Sequence, residues 1–164
     1  MARNAIWSNS DGLAVGFGTR TALTTGSNRV AENGMLESLY LVIKATELTD
    51  AVSATTDQVI HAPIIPNGAT IMSATLNVTT AFTTSASGTL DIGVYDKDGG
   101  IVDDDGIDAG VAAGALLLGA EIACDGADIN TVVATTGGVK ICASYDTGVF
   151  TAGEGILKVV YAPA

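Results

Sequence analysis

Residues 71–82, IMSATLNVTTAF, decide the fold, because apolar and polar side chains alternate along them. Met72, Ala74, Leu76 and Val78 fall on one face, and Ser73, Thr75, Asn77 and Thr79 fall on the other. Such alternation is typical of a β-strand in an antiparallel sheet that has one face on the core and one in water. The stretch therefore predicts a strand of a packed sheet.

Further strands are predicted on both sides of this segment. They are residues 37–47 and 58–65 before it, and residues 90–95, 130–134, 138–145 and 156–161 after it. Pro66-Asn67-Gly68 predicts a turn, since Pro presets the bend and Gly can adopt a positive φ. Residues 156–161 are apolar on both faces, which indicates a central strand.

About seven short strands separated by Gly and Pro turns predict an all-β fold, an antiparallel β-sandwich with a jelly-roll-like topology. One short inserted helix is predicted over residues 105–118, where Asp105 can cap the first turn. Gly106, Gly110 and Gly114 recur every four residues along it. Since an interior Gly costs a helix about 1 kcal/mol relative to Ala, we expect this row to lie close against the sheet.

The charge divides the chain of 164 residues into two parts. Its net charge is −11, from 18 acidic and 7 basic side chains. Residues 1–29 hold three Arg and one Asp, a balance of 3 − 1 = +2, which leaves 4 − 17 = −13 for residues 30–164. We expect an extended N-terminal arm over residues 1–34 and a sandwich domain over residues 35–164, with an ordinary first strand of the sandwich as the alternative for the N-terminal part. An acidic domain of this kind argues against nucleic acid as a partner.

Targeting and redox features are few. No apolar run approaches the roughly 18 residues of a membrane span, and the first residues lack the apolar region of a signal peptide. We therefore expect no membrane partner and synthesis in the cytoplasm. Cys124 and Cys142 are predicted to be free, buried thiols, and a single histidine, His61, provides no zinc-binding pattern.

The acidic loop at residues 96–105 is the one place where carboxylates crowd together. Asp96, Asp98 and Asp103 are the candidates for a calcium site, but the spacing lacks the third ligand and the glutamate of an EF-hand. A solvated loop is the simpler interpretation, so no metal or other cofactor is expected. Neighbouring Asp residues on a Gly-rich loop would all be ionised, which is unsuitable for paired acid and base catalysis. We expect no catalytic residues and no enzyme activity.

Three segments carry a family resemblance: MARNAIWSNSDGLAVGFGTR, LDIGVYDKDGGIVDDDGIDAG and ASYDTGVFTAGEGILKVVY. The chain resembles capsid decoration (cement) proteins of tailed bacteriophages. The resemblance implies a jelly-roll-like domain that forms a homotrimer on the outer capsid surface of the virion. There it would bridge neighbouring subunits of the major capsid protein.

The basic arm is the expected contact with the capsid or another partner. Arg3, Trp7, Arg20 and Arg29 are its candidate binding residues, because aromatic and Arg side chains dominate the energetics of interfaces. A glycan- or receptor-binding module of a tail fibre or other virion appendage is the alternative. Clustering of Trp7, Tyr40, Tyr95 and Tyr145 on one exposed face would favour that alternative.

Overall fold

The computed structural model describes residues 36–48 and 64–164 in full, and the backbone alone of residues 5–8, 14–17, 28–32 and 49–50. The strands in these ranges are β1 (Ala5–Ser8), β2 (Ala14–Phe17), β3 (Asn28–Glu32), β4 (Leu36–Lys44), β5 (Thr49–Asp50), β6 (Thr70–Thr84), β7 (Thr89–Asp96), β8 (Ile101–Ala112), β9 (Glu121–Cys124), β10 (Thr131–Val132), β11 (Val139–Asp146) and β12 (Phe150–Ala162). Two 3-10 turns, Ala45–Glu47 and Ala113–Ala115, complete the regular structure of these ranges.

The strands form two main sheets. One has the order β3-β4-β12-β6, with β9 and β10 both paired to the far edge of β6, and the other has the order β5-β11-β7-β8. The strands from β4 onward can be numbered 1 to 8 in chain order if the two-residue β10 is left out. In these numbers, β4-β12-β6-β9 of the first sheet has the order 1-8-3-6, and β5-β11-β7-β8 of the second sheet has the order 2-7-4-5. This is the strand order of a jelly roll. The predicted all-β sandwich is confirmed, and the two-residue contact of β5 with β11 is its one parallel pairing in the described strands.

The core lies between the two sheets. Leu76 on β6 and Leu157 on β12 meet Ile92 on β7 and Ile141 on β11, all of them buried. Phe82 and Phe150 close one end with an edge-to-face contact at 5.6 Å between ring centroids. As predicted, β12 is a central strand, hydrogen-bonded to β4 on one side and to β6 on the other.

The inward face of β6 differs from the prediction at Met72. Met72 is 41% exposed, whereas Ile71 is only 1% exposed. The reason is a β-bulge, because Val160 pairs with Ser73 while the next residue, Tyr161, pairs with Ile71. Because β6 has one extra residue at the bulge, the side chains that precede it point to the opposite face of the sheet from the one predicted.

The predicted helix over residues 105–118 is wrong, because the structure has the edge strand β8 there, followed by a 3-10 turn. Pairing with β7 outweighs the helical spacing of the apolar residues. Gly110 has a φ of +69°, which no helix accommodates. The backbone carbonyl of Gly106 accepts the N–H of Asp128 at 2.7 Å instead of belonging to a helix.

Several smaller predictions can also be compared with the structure. The turn at Pro66-Asn67-Gly68 is confirmed, with Gly68 at a φ of +86°, and Cys124 and Cys142 are buried and not joined by a disulfide bond. Of the predicted strand at residues 58–65, residues 58–63, and His61 with them, lie outside the described residues, while Ile65 forms an isolated bridge with Val139. Within the described part of the chain, no helix is both long and apolar enough to span a membrane.

Candidate functional site

The main irregularity of the fold is a bulge in β8. Ile92 of β7 pairs with Asp108, and Val94, two residues further along, pairs with Asp103. Between these two pairs, β8 moves along by five residues while β7 moves along by two. The extra residues of β8 therefore bulge out of the ladder of backbone hydrogen bonds. Ile107 anchors this bulge in the core with no exposed surface.

Gly93 makes room for the bulge. It lies on β7 between the two pairs that flank the bulge. A Cβ at this position would collide with the carbonyl oxygen of Asp103 and with the backbone of Asp104. The β8 chain can therefore cross this part of the sheet only because residue 93 has no side chain.

A loop after β9 holds the bulge from the other sheet. The N–H of Gly126 donates to the carbonyl of Ile107 at 2.9 Å, and the N–H of Asp128 donates to that of Gly106 at 2.7 Å. These bonds bring the carboxyl group of Asp128 next to Asp103. A Cβ on Gly106 would collide with the Asp128 carboxylate and lie 3.0 Å from Cγ of Asp103.

The result is an acidic cluster composed of Asp103, Asp104, Asp105 and Asp128. The carboxylate oxygens of the first three lie within 4.8 Å of one another, and these side chains are partly or fully exposed. A side-chain hydrogen bond with Asp103 raises the pKa of Asp105. The pKa of Asp128 is raised mainly by partial burial and to a smaller extent by the charge of Asp103. Like charges held this close favour a cation beside them, either a metal ion or a basic side chain.

The three residues predicted as calcium candidates do not form one ligand set. Asp96 is engaged by its own turn, where its Oδ1 accepts the N–H groups of Asp98 and Gly100, each at 2.8 Å. These bonds, with that of Gly100 the strongest influence, lower the pKa of Asp96. Asp98 pairs with Lys97 on the surface. Only Asp103 belongs to the acidic cluster, and Asp128 was absent from the prediction because the fold brings it there from a distant part of the sequence.

Two buried carboxylates flank the bulge, one on each side of the sheet. Asp91 accepts the N–H of Gly110, and Asp108 is hydrogen-bonded to Cys124. Burial is the main cause that raises the pKa of both carboxyl groups. Burial also raises the pKa of the Cys124 thiol to about 12, which leaves it protonated and unreactive at neutral pH.

Three buried polar atoms near the bulge have no hydrogen-bond partner among the described residues: the Tyr95 hydroxyl, Oδ2 of Asp108 and the Ser144 hydroxyl. Tyr95 and Ser144 lie on the outer face of the four-stranded sheet, where Ser144 is paired directly with Asp91. Burial raises the pKa of Tyr95 to about 12. All three residues are almost fully buried, so these atoms do not line an open site. Their unmade hydrogen bonds reduce the stability of the fold.

A cavity of about 230 Å³ opens beside the acidic cluster. Among the described residues that line it, Asp128 is the only carboxylate and most of the others are apolar, including Val94, Val102 and Val132. Val102 and Val132 are also 48% and 54% exposed, so they continue the apolar lining out to the surface. Exposed apolar side chains beside carboxylates are typical of a surface that contacts another polypeptide.

The residues predicted to bind a partner cannot be placed as a site. Arg3 and Arg20 lie outside the described residues, and Trp7 and Arg29 lie in β1 and β3 with only their backbones described. The described tyrosines do not form the exposed aromatic face that a glycan module would need. Tyr95 is 2% exposed, Tyr145 packs against the core, and Tyr40 lies on the other sheet with the Lys158 ammonium 5.9 Å from its ring.

Comparison with known proteins gives one structural likeness. No protein-family profile and no curated protein sequence matches the chain. Among solved structures, the chain is similar to one in the "Cyanophage Pam1 capsid asymmetric unit", with 15% sequence identity and a TM-score of 0.48. The alignment covers 96% of this chain and 98% of that one.

Proposed function

We propose that this protein is a structural component of a phage virion. It binds the outer surface of the capsid as a homotrimer and cements neighbouring subunits of the major capsid protein. Its role is mechanical rather than enzymatic. The three sequence segments that resemble tailed-phage decoration proteins suggest this function.

The single observation that carries the proposal is the separation of charge between the two parts of the chain. Residues 30–164 carry a net charge of −13, and residues 1–29 carry +2. Packaged DNA repels an acidic domain, which favours a position outside the shell. The basic segment supplies the contact with a partner through Arg3, Trp7, Arg20 and Arg29.

The fold suits such a role. A jelly roll has two flat sheets and a compact core, and it occurs widely in viral capsid domains. The outer face of the six-stranded sheet carries short polar side chains such as Ser73 and Asn77, which allow close symmetric packing. A closed three-fold ring is one arrangement that uses identical faces in this way.

The proposal is tested with purified virions and heads of the virus that encodes the chain. Mass spectrometry should find the protein in virions in a fixed ratio to the major capsid protein, and gold-labelled antibody should mark it on intact heads. The purified protein should also cosediment with heads that lack it. Absence from purified virions, or a label that appears only after heads are opened, would contradict the proposal.

A further inference from the structure

The part of the sequence that supplies the acidic cluster contains no positively charged side chain. The sequence contains neither Lys nor Arg from residue 98 to residue 139, although this stretch holds eight acidic residues. They are Asp98, Asp103, Asp104, Asp105, Asp108, Glu121, Asp125 and Asp128. The fold places Asp103, Asp104, Asp105 and Asp108 in β8 and Glu121 in β9, at the edges of the two sheets. Neither β8 nor the loop that carries Asp128 contains a Lys or Arg that could neutralise the acidic cluster.

The surface beside the cluster is apolar. Val102 and Val132 are about half exposed, and together with Asp128 they line the cavity described above. Such a surface fits a polypeptide segment that carries both cationic and apolar side chains. Arginine suits the carboxylates in particular, because its planar guanidinium can bind them with two parallel hydrogen bonds.

The chain itself contains a segment of this chemistry. All three of its arginines lie within residues 1–29, accompanied by the apolar Ile6 and Trp7. Two sandwiches of charge −13 repel each other when they approach directly. The basic segment is the part of the chain that can offset this repulsion and join two copies.

We propose that the acidic cluster of one copy binds the basic segment, residues 1–29, of a second copy. Such a contact joins two different surfaces, so it can be repeated from copy to copy and close into a ring. The inference builds on the self-association contained in the proposed function, and it specifies which two surfaces meet.

Charge reversal in the full-length protein tests the pairing. One variant carries Asp103→Lys and Asp128→Lys, a second carries Arg20→Glu and Arg29→Glu, and a third combines all four changes. We expect each double variant to weaken self-association about tenfold or more, as measured by light scattering and sedimentation, and the combined variant to recover much of the loss. A mixture of the two double variants should also form mixed assemblies, because one supplies an intact cluster and the other an intact segment.

A matched control carries Glu47→Lys and Asp146→Lys, which reverse two exposed charges away from the cluster. It should associate like the wild type. If the Lys changes prevent folding, Asp103→Asn with Asp128→Asn removes the charges at nearly constant volume. Self-association that none of these changes alters, or a combined variant no better than either double variant, overturns the inference.

Two further outcomes separate this inference from the proposed function. A wild-type protein that is a single chain in solution, or variants that change thermal stability but never mass, would overturn pairing between copies. A protein that associates as expected but fails to bind heads would leave the pairing intact and contradict the capsid function. A metal bridge between copies would appear as assemblies that dissociate in chelator, and it would also overturn the inference.

Discussion

The backbone N–H of Gly110 donates a hydrogen bond to Oδ1 of Asp91 at 2.6 Å. Leu90 pairs with Val111 and Ile92 with Asp108, so β8 has one surplus residue at this point. The positive φ of Gly110 turns its N–H out of the ladder, and the carboxylate of Asp91 receives it. This bond fixes the second irregularity of β8.

Replacing Asp91 with Ala should therefore destabilise the fold. The change leaves the Gly110 N–H without its acceptor in a partly buried position, at an expected cost of about 1–3 kcal/mol. Asp91→Asn retains an acceptor and should cost less. Urea unfolding measures both, with the exposed Asp98→Ala as the control, and equal stability of Asp91→Ala and the wild type would contradict this role.

Mild acid should stabilise the protein. Burial raises the pKa of Asp91 and Asp108 above the ordinary value of 3.8, so the folded chain binds these protons more tightly than the unfolded chain. Their stabilising contribution is complete below the ordinary pKa and is lost as pH rises through the higher folded-state values. Asp96, whose pKa is lowered, acts in the opposite sense, but only as pH falls below its ordinary value.

We therefore expect Tm to rise as pH falls from neutral through the raised pKa values of Asp91 and Asp108 toward the ordinary carboxyl pKa. Asp108→Asn removes one buried charge and should flatten this dependence. Scanning calorimetry across this pH range provides the measurement. A Tm that falls over the same interval would show that other groups control the acid response.

Gly93 and Gly114 should respond in opposite ways to the same substitution. Gly93→Ala places a methyl group against the backbone of Asp103 and Asp104, and overpacking of this kind costs about 1–3 kcal/mol or more. Gly114→Ala meets no atom within 4 Å and should be neutral or slightly stabilising. Equilibrium unfolding of the two variants side by side tests the prediction, and similar effects at both positions would refute it.

Divalent metal removal should leave the protein unchanged. In the pairing proposed above, arginine rather than a metal ion neutralises the acidic cluster. Addition of EDTA should therefore alter neither Tm nor the mass in solution. Because an ion that binds only the folded state raises Tm, a clear increase on adding calcium, abolished by Asp103→Asn, would instead identify a metal site.

The strands that could be predicted from the sequence are those in which apolar and polar residues alternate because one face of the strand is buried. Ile92 and Ile141 belong to such strands, and both are buried in the core as expected. The same reasoning failed for β8, because an edge strand with a large bulge loses its period of two. Its three regularly spaced glycines then resembled a helical pattern, although Gly106 and Gly110 serve backbone contacts instead.

The acidic cluster could be predicted only in part. Asp103, Asp104 and Asp105 are consecutive in sequence, so their proximity follows from the chain itself. Asp128 joins them through a backbone hydrogen bond between the loop after β9 and β8, which no local pattern encodes. The reversal at Met72 has a similar origin, since the position of the bulge depends on the pairing with β12.

The central position of β12 also determines when the domain can form. During synthesis β4 and β6 leave the ribosome long before the strand that joins them, and until then each has an unpaired edge. Nascent chains on neighbouring ribosomes can pair with such edges and aggregate. Completion of the six-stranded sheet must therefore wait until residues 150–162 have been translated, and expression conditions that hold nascent chains apart should improve the yield of folded protein.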